Sequence, residues 1–534
     1  MPFPSITPTF PALIRSSAAR FRDSSFLVCA GETLTYTELD RRSARLARAL
    51  LDTGVNKGSH IGILMPNGID WALTWFAIAR IGAVAVPLNT FYQAKELAWT
   101  VRHADLAMIC AHPLFRSHDF VRRLEEALPD LAQQKDSALA LRSAPRLRTI
   151  AFTTATNRPW ATCLSEEATR LDEDHLIAVE STVTPADRAT LIYTSGSTGD
   201  PKAPVHTQGT VIRHSYNLTF PYGIDTDAVV FTSMPFFWIG GFITGLNAVI
   251  HHGATLITQP AFDAADALEL MERHRATIVL GWPQQGKTLA AHPDFSRTDL
   301  TSVRRTSMPA MVPEDRRPLG PHGLGMTELC GNHLGVDPYL PQPAGRRETG
   351  GYSIEGLQHV IADPETGEVV ADGVSGEIWV RGYSLMQGLY KREREDVFTA
   401  DGFYRTGDCG VRQSDGWITF TGRLGDLIKT GGGTNVTPDE VEAALMACEG
   451  VLEAYVVGIP HGDNGTVVAA AVVARARHTL DDDALRAQVR KRLSAYKVPK
   501  HIWIVDKAEL PFTASGKVRK SALAEDLARR VATF

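Results

Sequence analysis

A loop rich in glycine and hydroxyl side chains, at residues 193–202, constrains this chain more than any other stretch. It reads Tyr-Thr-Ser-Gly-Ser-Thr-Gly-Asp-Pro-Lys and follows a short apolar run that predicts a strand. Its two glycines allow a tight bend that presents backbone N–H groups to an anion. The hydroxyl groups and the lysine ammonium add donors suited to phosphate oxygens. An ordinary surface loop is the commoner fate of such a composition, and no Gly-Lys-Ser/Thr of the P-loop type follows.

The bulk properties indicate a soluble globular protein with more than one domain. A length of 534 residues exceeds what one core usually organises, and 44% of the residues are hydrophobic. A net charge of −5 gives no support for a nucleic-acid or anionic-membrane surface. The six cysteines are scattered, no secretory signal begins the chain, and no apolar run is long enough to span a membrane. We therefore expect reduced thiols and a cytoplasmic protein.

Strand and helix patterns alternate along residues 21–188, which predicts parallel sheets covered by helices. Residues 61–65 read as a buried strand and residues 71–81 as a helix. Further on, residues 377–381 and 416–421 read as strands of a more β-rich region.

A change of composition at residues 422–426 marks the start of a tail with the size of a small domain. The predicted fold is α/β. A large N-terminal domain, residues 1–422, has mixed or parallel sheets flanked by helices and a β-rich subdomain. A small, mobile α+β domain occupies residues 423–534.

Two further stretches carry carboxylates after glycine turns. Residues 323–328 place the hydroxyl of Thr327 and the carboxylate of Glu328 after a flexible turn, which suits a phosphate donor beside a magnesium ligand. Taken alone, a helix N-terminus explains that stretch better. Asp408 ends the stretch 404–408 and could take two sugar hydroxyls or simply cap a turn.

Two basic residues lie in the predicted C-terminal domain. Arg423 could form a bidentate contact to hydroxyls or phosphate, and Lys517 lies on a loop near the end of the sequence. Singly, exposed side chains would explain both.

Taken in order, these stretches resemble the blocks of the adenylate-forming superfamily, which includes acyl- and aryl-CoA synthetases, firefly luciferase and peptide-synthetase adenylation domains. Residues 79–89, 376–382 and 422–442 match further family blocks. The resemblance runs from about residue 20 to about residue 525. It implies that ATP and a carboxylic acid give an acyl-adenylate and pyrophosphate, and that a thiol then takes the acyl group and releases AMP.

The resemblance also implies roles for individual residues. The nucleotide would be bound by Thr194, Ser195, Gly196, Ser197, Thr198, Gly199, Lys202, Leu324, Gly325, Met326, Thr327, Asp408, Arg423 and Lys517. The catalytic groups would be Thr327, Lys517 and, in the thiol-transfer step, Lys429. Glu328 would bind Mg²⁺, and Gly425 would be the hinge about which the C-terminal domain swings. Leu324 stands where the family usually has an aromatic residue against adenine.

The acyl pocket is expected around residues 234–242, with Phe236, Phe237, Trp238 and Gly240 at its wall. No Asp lies between Asp227 and Asp263 to pair with an α-amino group, so an apolar fatty or aromatic acid is favoured over an amino acid. Coenzyme A is the expected acceptor. A carrier protein or an amine as acceptor, and a non-catalytic relative of the same fold, stay open, as does the oligomeric state, a homodimer included.

Overall fold

The structure is a computed structural model. It describes residues 3–167, 169–194, 201–318, 323–341, 350–364, 366–424, 428–431, 434–436, 438–462, 465–476, 478–512 and 518–532. For residues 421–423, 435, 439 and 521 it describes the backbone alone.

The helices of the described ranges are α1 (Phe10–Phe21), α2 (Tyr36–Asp52), α3 (Ile69–Arg80), α4 (Ala94–His103), α5 (Phe120–Ala127), α6 (Glu173–Ser181), α7 (Gln208–Tyr222), α8 (Ala264–Arg273), α9 (Pro283–Ala290), α10 (Pro438–Met446), α11 (Asp482–Arg490) and α12 (Lys520–Ala532). A π-helical segment covers Gly240–Asn247. Short 3₁₀ turns lie at Leu131–Gln133, Pro309–Met311, Glu314–Arg316, Thr327–Leu329, Arg394–Asp396, Ala495–Lys497 and Lys507–Glu509.

The strands up to the middle of the chain are β1 (Ser25–Cys29), β2 (Glu32–Thr35), β3 (His60–Leu64), β4 (Val84–Pro87), β5 (Met108–Ala111), β6 (Leu114–Phe115), β7 (His118–Asp119), β8 (Thr149–Phe152), β9 (Ala161–Cys163), β10 (Arg188–Leu191), β11 (Pro204–Thr207), β12 (Val229–Thr232), β13 (Thr255–Thr258), β14 (Ile278–Leu280) and β15 (Arg305–Thr306). The remaining strands are β16 (Leu324–Met326), β17 (Gly331–Gly335), β18 (Gly350–Ser353), β19 (Leu357–Ala362), β20 (Ser375–Gly382), β21 (Gly388–Leu389), β22 (Tyr404–Arg412), β23 (Ile418–Arg423), β24 (Ile428–Lys429), β25 (Asn435–Val436), β26 (Val451–Pro460), β27 (Thr466–Ala474) and β28 (His501–Ile504).

Two large sheets form the first part of the N-terminal domain. One has eight strands in the order β21-β11-β10-β4-β3-β5-β8-β9, and the other has six in the order β15-β14-β12-β13-β1-β2. Strand β3 is buried along its whole length and pairs in parallel with β4 and β5. Every residue of helix α3 except Asp70 is also buried, with Trp71 and Trp75 in the main core. Parallel strands buried on both faces read as continuous apolar runs, and this confirms the predicted α/β alternation.

A seven-stranded sheet of order β16-β17-β18-β23-β22-β20-β19 forms the β-rich region, and its described pairings are antiparallel. At one edge, β16 and β17 form a hairpin in which Met326 faces Gly331 and Gly325 faces Asn332. The 3₁₀ turn Thr327–Leu329 closes this hairpin, and Cys330 takes a left-handed conformation after it. The stretch predicted to carry phosphate and magnesium chemistry is therefore a tight turn at a sheet edge.

The C-terminal part folds around its own apolar cores. Strands β26, β27 and β28 form a three-stranded sheet with α10, α11 and α12 packed about it. This confirms the expectation of a large domain followed by a smaller α+β domain. The division at residues 422 and 423 stays a prediction. Within the described ranges, no helix is long and apolar enough to cross a membrane.

Candidate active site

A single cavity of about 1160 Å³ joins the residues around the 193–202 loop, the β16–β17 hairpin and the C-terminal domain. The end of β10, the hairpin turn and the π-helical segment form its N-terminal walls. Strand β24, helix α10 and the 3₁₀ turn Ala495–Lys497 contribute the opposite side. The cavity thus lies between the two domains, where ligand sites often occur.

The two ends of the glycine- and hydroxyl-rich loop are pinned together. Thr194 and Lys202 exchange backbone hydrogen bonds, each with an N–H to carbonyl distance of 2.9 Å. Both residues line the cavity. The Thr194 hydroxyl is buried and has no hydrogen-bond partner among the described residues. A phosphate oxygen would supply the missing partner. Ser195, Gly196, Ser197, Thr198 and Gly199 lie outside the described residues, so their nucleotide contacts stay predictions.

Lys202 forms an ion pair with Glu328, and Tyr404 lies against both groups. The Lys202 ammonium donates to the Tyr404 hydroxyl at 3.2 Å, and that hydroxyl lies 3.4 Å from the Glu328 carboxylate. Burial alone would lower the pKa of Lys202, but the Glu328 carboxylate and the Tyr404 oxygen outweigh burial and raise it. Lys202 is therefore a stable cation, and Glu328 is an anion held next to it.

Thr327 is fixed through its backbone by a buried histidine. His206 Nε2 lies 2.7 Å from the Thr327 carbonyl oxygen, and since a carbonyl only accepts, Nε2 carries the proton. Burial lowers the pKa of His206 to about 4, so the ring is neutral at pH 7. Nδ1 of the same ring is buried without a hydrogen-bond partner among the described residues. Reading the sequence alone gave no reason to select His206, because its role depends on a residue 121 positions away.

Leu324 is the first residue of β16. Its side chain is 4% exposed and belongs to the apolar core of the β-rich region, with Leu334 and Ile378. Because side chains alternate along a strand, Leu324 and Met326 share the buried face of β16 and Gly325 takes the open one. Gly325 and Met326 line the cavity, and Leu324 is not among its lining residues. Leu324 thus packs in the core of the β-rich region, and its predicted contact with a nucleotide base stays a prediction.

The predicted ribose residues share one ladder position. Asp408 in β22 pairs with Arg423 in β23, and the Asp408 side chain is buried. The Arg423 side chain lies outside the described part of the structure, as do Gly425 and Lys517 in full. Their predicted roles, in ribose binding, as hinge and in catalysis, stay predictions.

Of the residues expected at the acyl pocket, some line the cavity and others are buried in the core. Trp238 and Gly240 line the cavity. The Phe236 ring is fully buried with its centroid 5.3 Å from that of Trp71, so it packs in the core rather than at the cavity. Phe237 is also buried, edge-to-face against Trp238. Phe236 and Phe237, two of the four predicted pocket residues, are therefore packed behind the residues that line the cavity.

The C-terminal domain brings further groups to the cavity. Lys429 and Gly431 line it. Tyr496 lies edge-to-face on Trp238, with ring centroids 6.1 Å apart. Lys497 is buried between Glu96 of α4 and Glu440 of α10. The interpretation of the sequence included Lys429 and missed Tyr496 and Lys497, whose partners Trp238 and Glu96 lie in a distant part of the chain.

The polar groups of the cavity suit a nucleoside triphosphate together with its metal ion. The Lys202 ammonium and the buried Thr194 hydroxyl are phosphate donors. Mg²⁺ commonly takes one or two carboxylates and completes its shell with water and substrate phosphates, and Glu328 offers one such carboxylate beside Thr327. Among the described residues no group of three or more His, Cys, Asp or Glu side chains forms a metal site on its own. The donor set thus fits a metal that arrives with the nucleotide.

Comparison with known proteins identifies the class. Residues 14–390 match the family model described as AMP-binding enzyme, and residues 440–517 match the AMP-binding enzyme C-terminal domain. The chain is 31% identical over 500 residues to a feruloyl-CoA synthase of Amycolatopsis sp, covering 92% of this chain and 93% of that protein. It is 30% identical over 557 residues to an acyl-CoA ligase of Ajellomyces capsulatus, covering 98% and 92%.

A solved structure agrees with these relatives. The amide bond synthetase of Marinactinospora thermotolerans superposes with a TM-score of 0.77 at 25% identity, over 96% of this chain and 99% of that chain. The first family model alone spans more than half of the 534 residues. The chain therefore belongs to the AMP-binding enzyme family within the adenylate-forming superfamily, and the resemblance seen in the sequence is confirmed.

Proposed function

We propose that this protein activates a carboxylic acid with ATP and transfers the acyl group to the thiol of coenzyme A. The observation that carries the proposal is the continuity of the cavity. It joins the Lys202–Glu328 pair and Thr327 to an aromatic wall at Trp238 and to Lys429 of the C-terminal domain. Relatives named as an acyl-CoA ligase and a feruloyl-CoA synthase support the same chemistry.

In the first step, a carboxylate oxygen of the acid attacks the α-phosphorus of ATP. The bond from that phosphorus to the bridging oxygen breaks, and pyrophosphate leaves. Negative charge on the phosphates is stabilised by the Lys202 ammonium and by hydrogen bonds from the hydroxyls of Thr194 and Thr327. A magnesium ion on Glu328 would neutralise further phosphate charge. Lys517 would add a cation at the α-phosphate.

In the second step, the sulfur of coenzyme A attacks the acyl carbon, the bond to AMP breaks, and the thiol proton passes to solvent. Lys429 and Gly431 stand on the cavity wall that a thiol would approach from the C-terminal domain. Trp238 and Trp282, with ring centroids 5.6 Å apart, offer apolar surface to the acid. An uncharged wall of this kind supports a fatty or aromatic acid.

A second acceptor is supported by one specific observation. The solved structure with a TM-score of 0.77 to this chain is an amide bond synthetase. An amine in place of the thiol would attack the same acyl carbon and release AMP in the same way. The reactions with a thiol and with an amine therefore differ only in the second step.

The test measures pyrophosphate release and the acyl product separately. The purified protein is given Mg-ATP with octanoate, benzoate, cinnamate or phenylalanine, with coenzyme A, with an amine, or with neither. We expect release with octanoate or an aryl acid, and a thioester in the mass spectrum when coenzyme A is present. An amide without any thioester would favour the second acceptor, and no release with any acid would contradict both.

A further inference from the structure

A tyrosine of the β-rich region reaches the charged pair at the cavity from behind. The Tyr404 hydroxyl lies 3.2 Å from the Lys202 ammonium and 3.4 Å from a Glu328 carboxylate oxygen. Lys202 and Glu328 line the cavity, whereas Tyr404 is not one of the described residues that line it. Tyr404 is 7% exposed. A buried hydroxyl thus contacts two charged groups of the proposed phosphate and metal site.

The chemistry of the three groups fixes the direction of both hydrogen bonds. An ammonium group only donates and an ionised carboxylate only accepts, so the single hydroxyl proton of Tyr404 is left for Glu328. Burial, and then the negative charge of Glu328, raise the pKa of Tyr404 above its usual value, so the phenol keeps that proton at pH 7. The hydrogen bonds therefore run from Lys202 to Tyr404 and from Tyr404 to Glu328.

Packing holds the Tyr404 ring in place. Tyr404 begins β22, where it pairs with Val380 of β20, and its ring lies edge-to-face on Phe398 with centroids 6.2 Å apart. The ring belongs to the apolar core of the β-rich region, together with Met326. A side chain whose rotamer is locked by packing presents its hydroxyl at one position. The β-rich sheet therefore sets where this hydroxyl lies.

Each member of the charged pair would find in Mg-ATP a partner of the same sign as its present one. Lys202 would exchange the Glu328 carboxylate for phosphate oxygens, and Glu328 would exchange the ammonium for Mg²⁺. Neither exchange uses the Tyr404 proton, so its hydrogen bond can stay on Glu328 and fix the orientation of the carboxylate. Loss of such a hydrogen bond to a metal-binding group typically costs about 10- to 100-fold in metal affinity or activity.

We propose that Tyr404 is a positioning residue of the phosphate and metal site. Its hydroxyl holds Lys202 and Glu328 side by side and keeps the carboxylate oriented when the two charges part to bind Mg-ATP. This inference rests on the proposed function and deepens it, since it adds to the adenylation step a group that acts through Glu328. The sequence gave no reason to select Tyr404, because its two partners lie 202 and 76 positions away.

The test separates the metal-dependent part of nucleotide binding from the rest. Calorimetry with the full-length protein measures the binding of α,β-methylene-ATP, which cannot release pyrophosphate, over a range of Mg²⁺ concentrations and in EDTA. In Tyr404→Phe we expect the Mg²⁺ concentration at half-saturation to rise by about tenfold. Binding of the analogue in EDTA should change little, because Lys202 keeps its charge.

The matched control removes the same hydroxyl from a similar triad elsewhere. The Tyr390 hydroxyl donates to the Asp105 carboxylate at 2.8 Å, and the Lys391 ammonium lies 2.8 Å from the same carboxylate. None of these three is among the described residues that line the cavity. Tyr390→Phe should therefore leave the Mg²⁺ dependence as in the parent, whatever its melting temperature.

A second background tests whether Tyr404 acts through Glu328. Glu328→Gln should itself raise the Mg²⁺ concentration at half-saturation, and Tyr404→Phe added to it should raise that concentration no further. Substitutions that act on one shared interaction are not additive, whereas independent ones are. Full additivity in the double variant would overturn the inference.

Two further results would overturn the inference and leave the proposed function standing. One is a Mg²⁺ dependence that Tyr404→Phe leaves unchanged. The other is an equal loss of analogue binding with Mg²⁺ and in EDTA, which would show that the hydroxyl supports the fold alone. If the parent binds no analogue and releases no pyrophosphate with any acid, the proposed function fails and this inference fails with it.

Discussion

The Lys497 ammonium of the C-terminal domain lies 3.0 Å from the Glu96 carboxylate of the N-terminal domain. Glu440 of α10 is 2.9 Å from the same ammonium, and the Ser494 hydroxyl donates to Glu96 at 2.8 Å. The Lys497 side chain is 4% exposed and that of Glu96 is 10% exposed. The pair therefore links the domains in the arrangement in which Lys429 lines the cavity.

Breaking this pair should weaken the arrangement that the proposed transfer step uses. Lys497→Met leaves two carboxylates buried without their cation, and loss of one partner of a buried pair typically costs about 3–5 kcal/mol. We expect acyl transfer to coenzyme A to slow by about tenfold or more while pyrophosphate release in the absence of coenzyme A changes little. Single-turnover measurements of the two half-reactions give both rates.

The matched control removes an ion pair inside one domain. Lys507 and Glu453 pair on the surface, where the Lys507 side chain is 58% exposed. Exposed pairs contribute only about 0–1 kcal/mol, so Lys507→Met should leave both half-reactions as in the parent. Equal slowing of both half-reactions in Lys497→Met would show that the pair supports folding rather than domain arrangement.

His206 should act on the first half-reaction through the backbone of Thr327. His206→Phe fills similar space but removes the N–H that holds the Thr327 carbonyl at 2.7 Å. We expect pyrophosphate release to fall by about tenfold, because an unpaired buried carbonyl costs about 1–3 kcal/mol and the turn shifts to recover a partner. His206→Gln keeps an N–H donor and should recover part of the rate.

A buried histidine away from the cavity separates positioning from folding. His251 is fully buried and hydrogen-bonded to Ser215 at 2.8 Å. His251→Phe and His206→Phe should lower the urea midpoint by similar amounts. The rate of pyrophosphate release by His251→Phe should stay near that of the parent. Equal loss of rate in the two variants would argue against a positioning role for His206.

The position of Leu324 reverses what the family resemblance suggests for a substitution there. On the resemblance alone, Leu324→Tyr would be expected to restore a ring against adenine and to lower the KM for ATP. In the structure the side chain packs in the core of the β-rich region, where added bulk typically costs about 1–3 kcal/mol. We expect a lower melting temperature and no fall in the KM for ATP. A fall in KM with unchanged melting temperature would show that this side chain does reach the nucleotide.

Features that depend on local sequence could be predicted, whereas features that depend on contacts between distant residues could not. The order of the motifs, the α/β alternation and the small C-terminal domain were predictable, because loop composition and strand periodicity are local. The Lys497–Glu96 contact joins residues 401 positions apart and depends on how two domains meet. The facing of the Leu324 side chain could not be predicted because it depends on strand register: Leu324 is buried, whereas the next residue, Gly325, is exposed.

Several buried histidines should make stability depend on pH. Burial lowers the pKa of His206 to about 4 and lowers those of His214, His251 and His359 to about 3. In the unfolded chain the usual value is about 6.5, so below that pH the unfolded state binds more protons. Stability should therefore be constant above about pH 7 and fall as the pH drops from about 6.5 towards 4. Each histidine contributes up to about 1.4 kcal/mol per pH unit.

Urea unfolding followed between pH 7.5 and pH 4.5 measures this dependence. His251→Gln removes one titrating ring and should flatten the decline of the urea midpoint, whereas His175→Gln, at an exposed position on α6, should leave the decline unchanged. Because the rings are neutral in the folded state, the same decline should appear at low and high salt. A urea midpoint that stays level down to pH 4.5 would mean that these histidines are protonated within the folded protein. The buried surroundings of Thr327 would then tolerate a charged His206, contrary to the prediction.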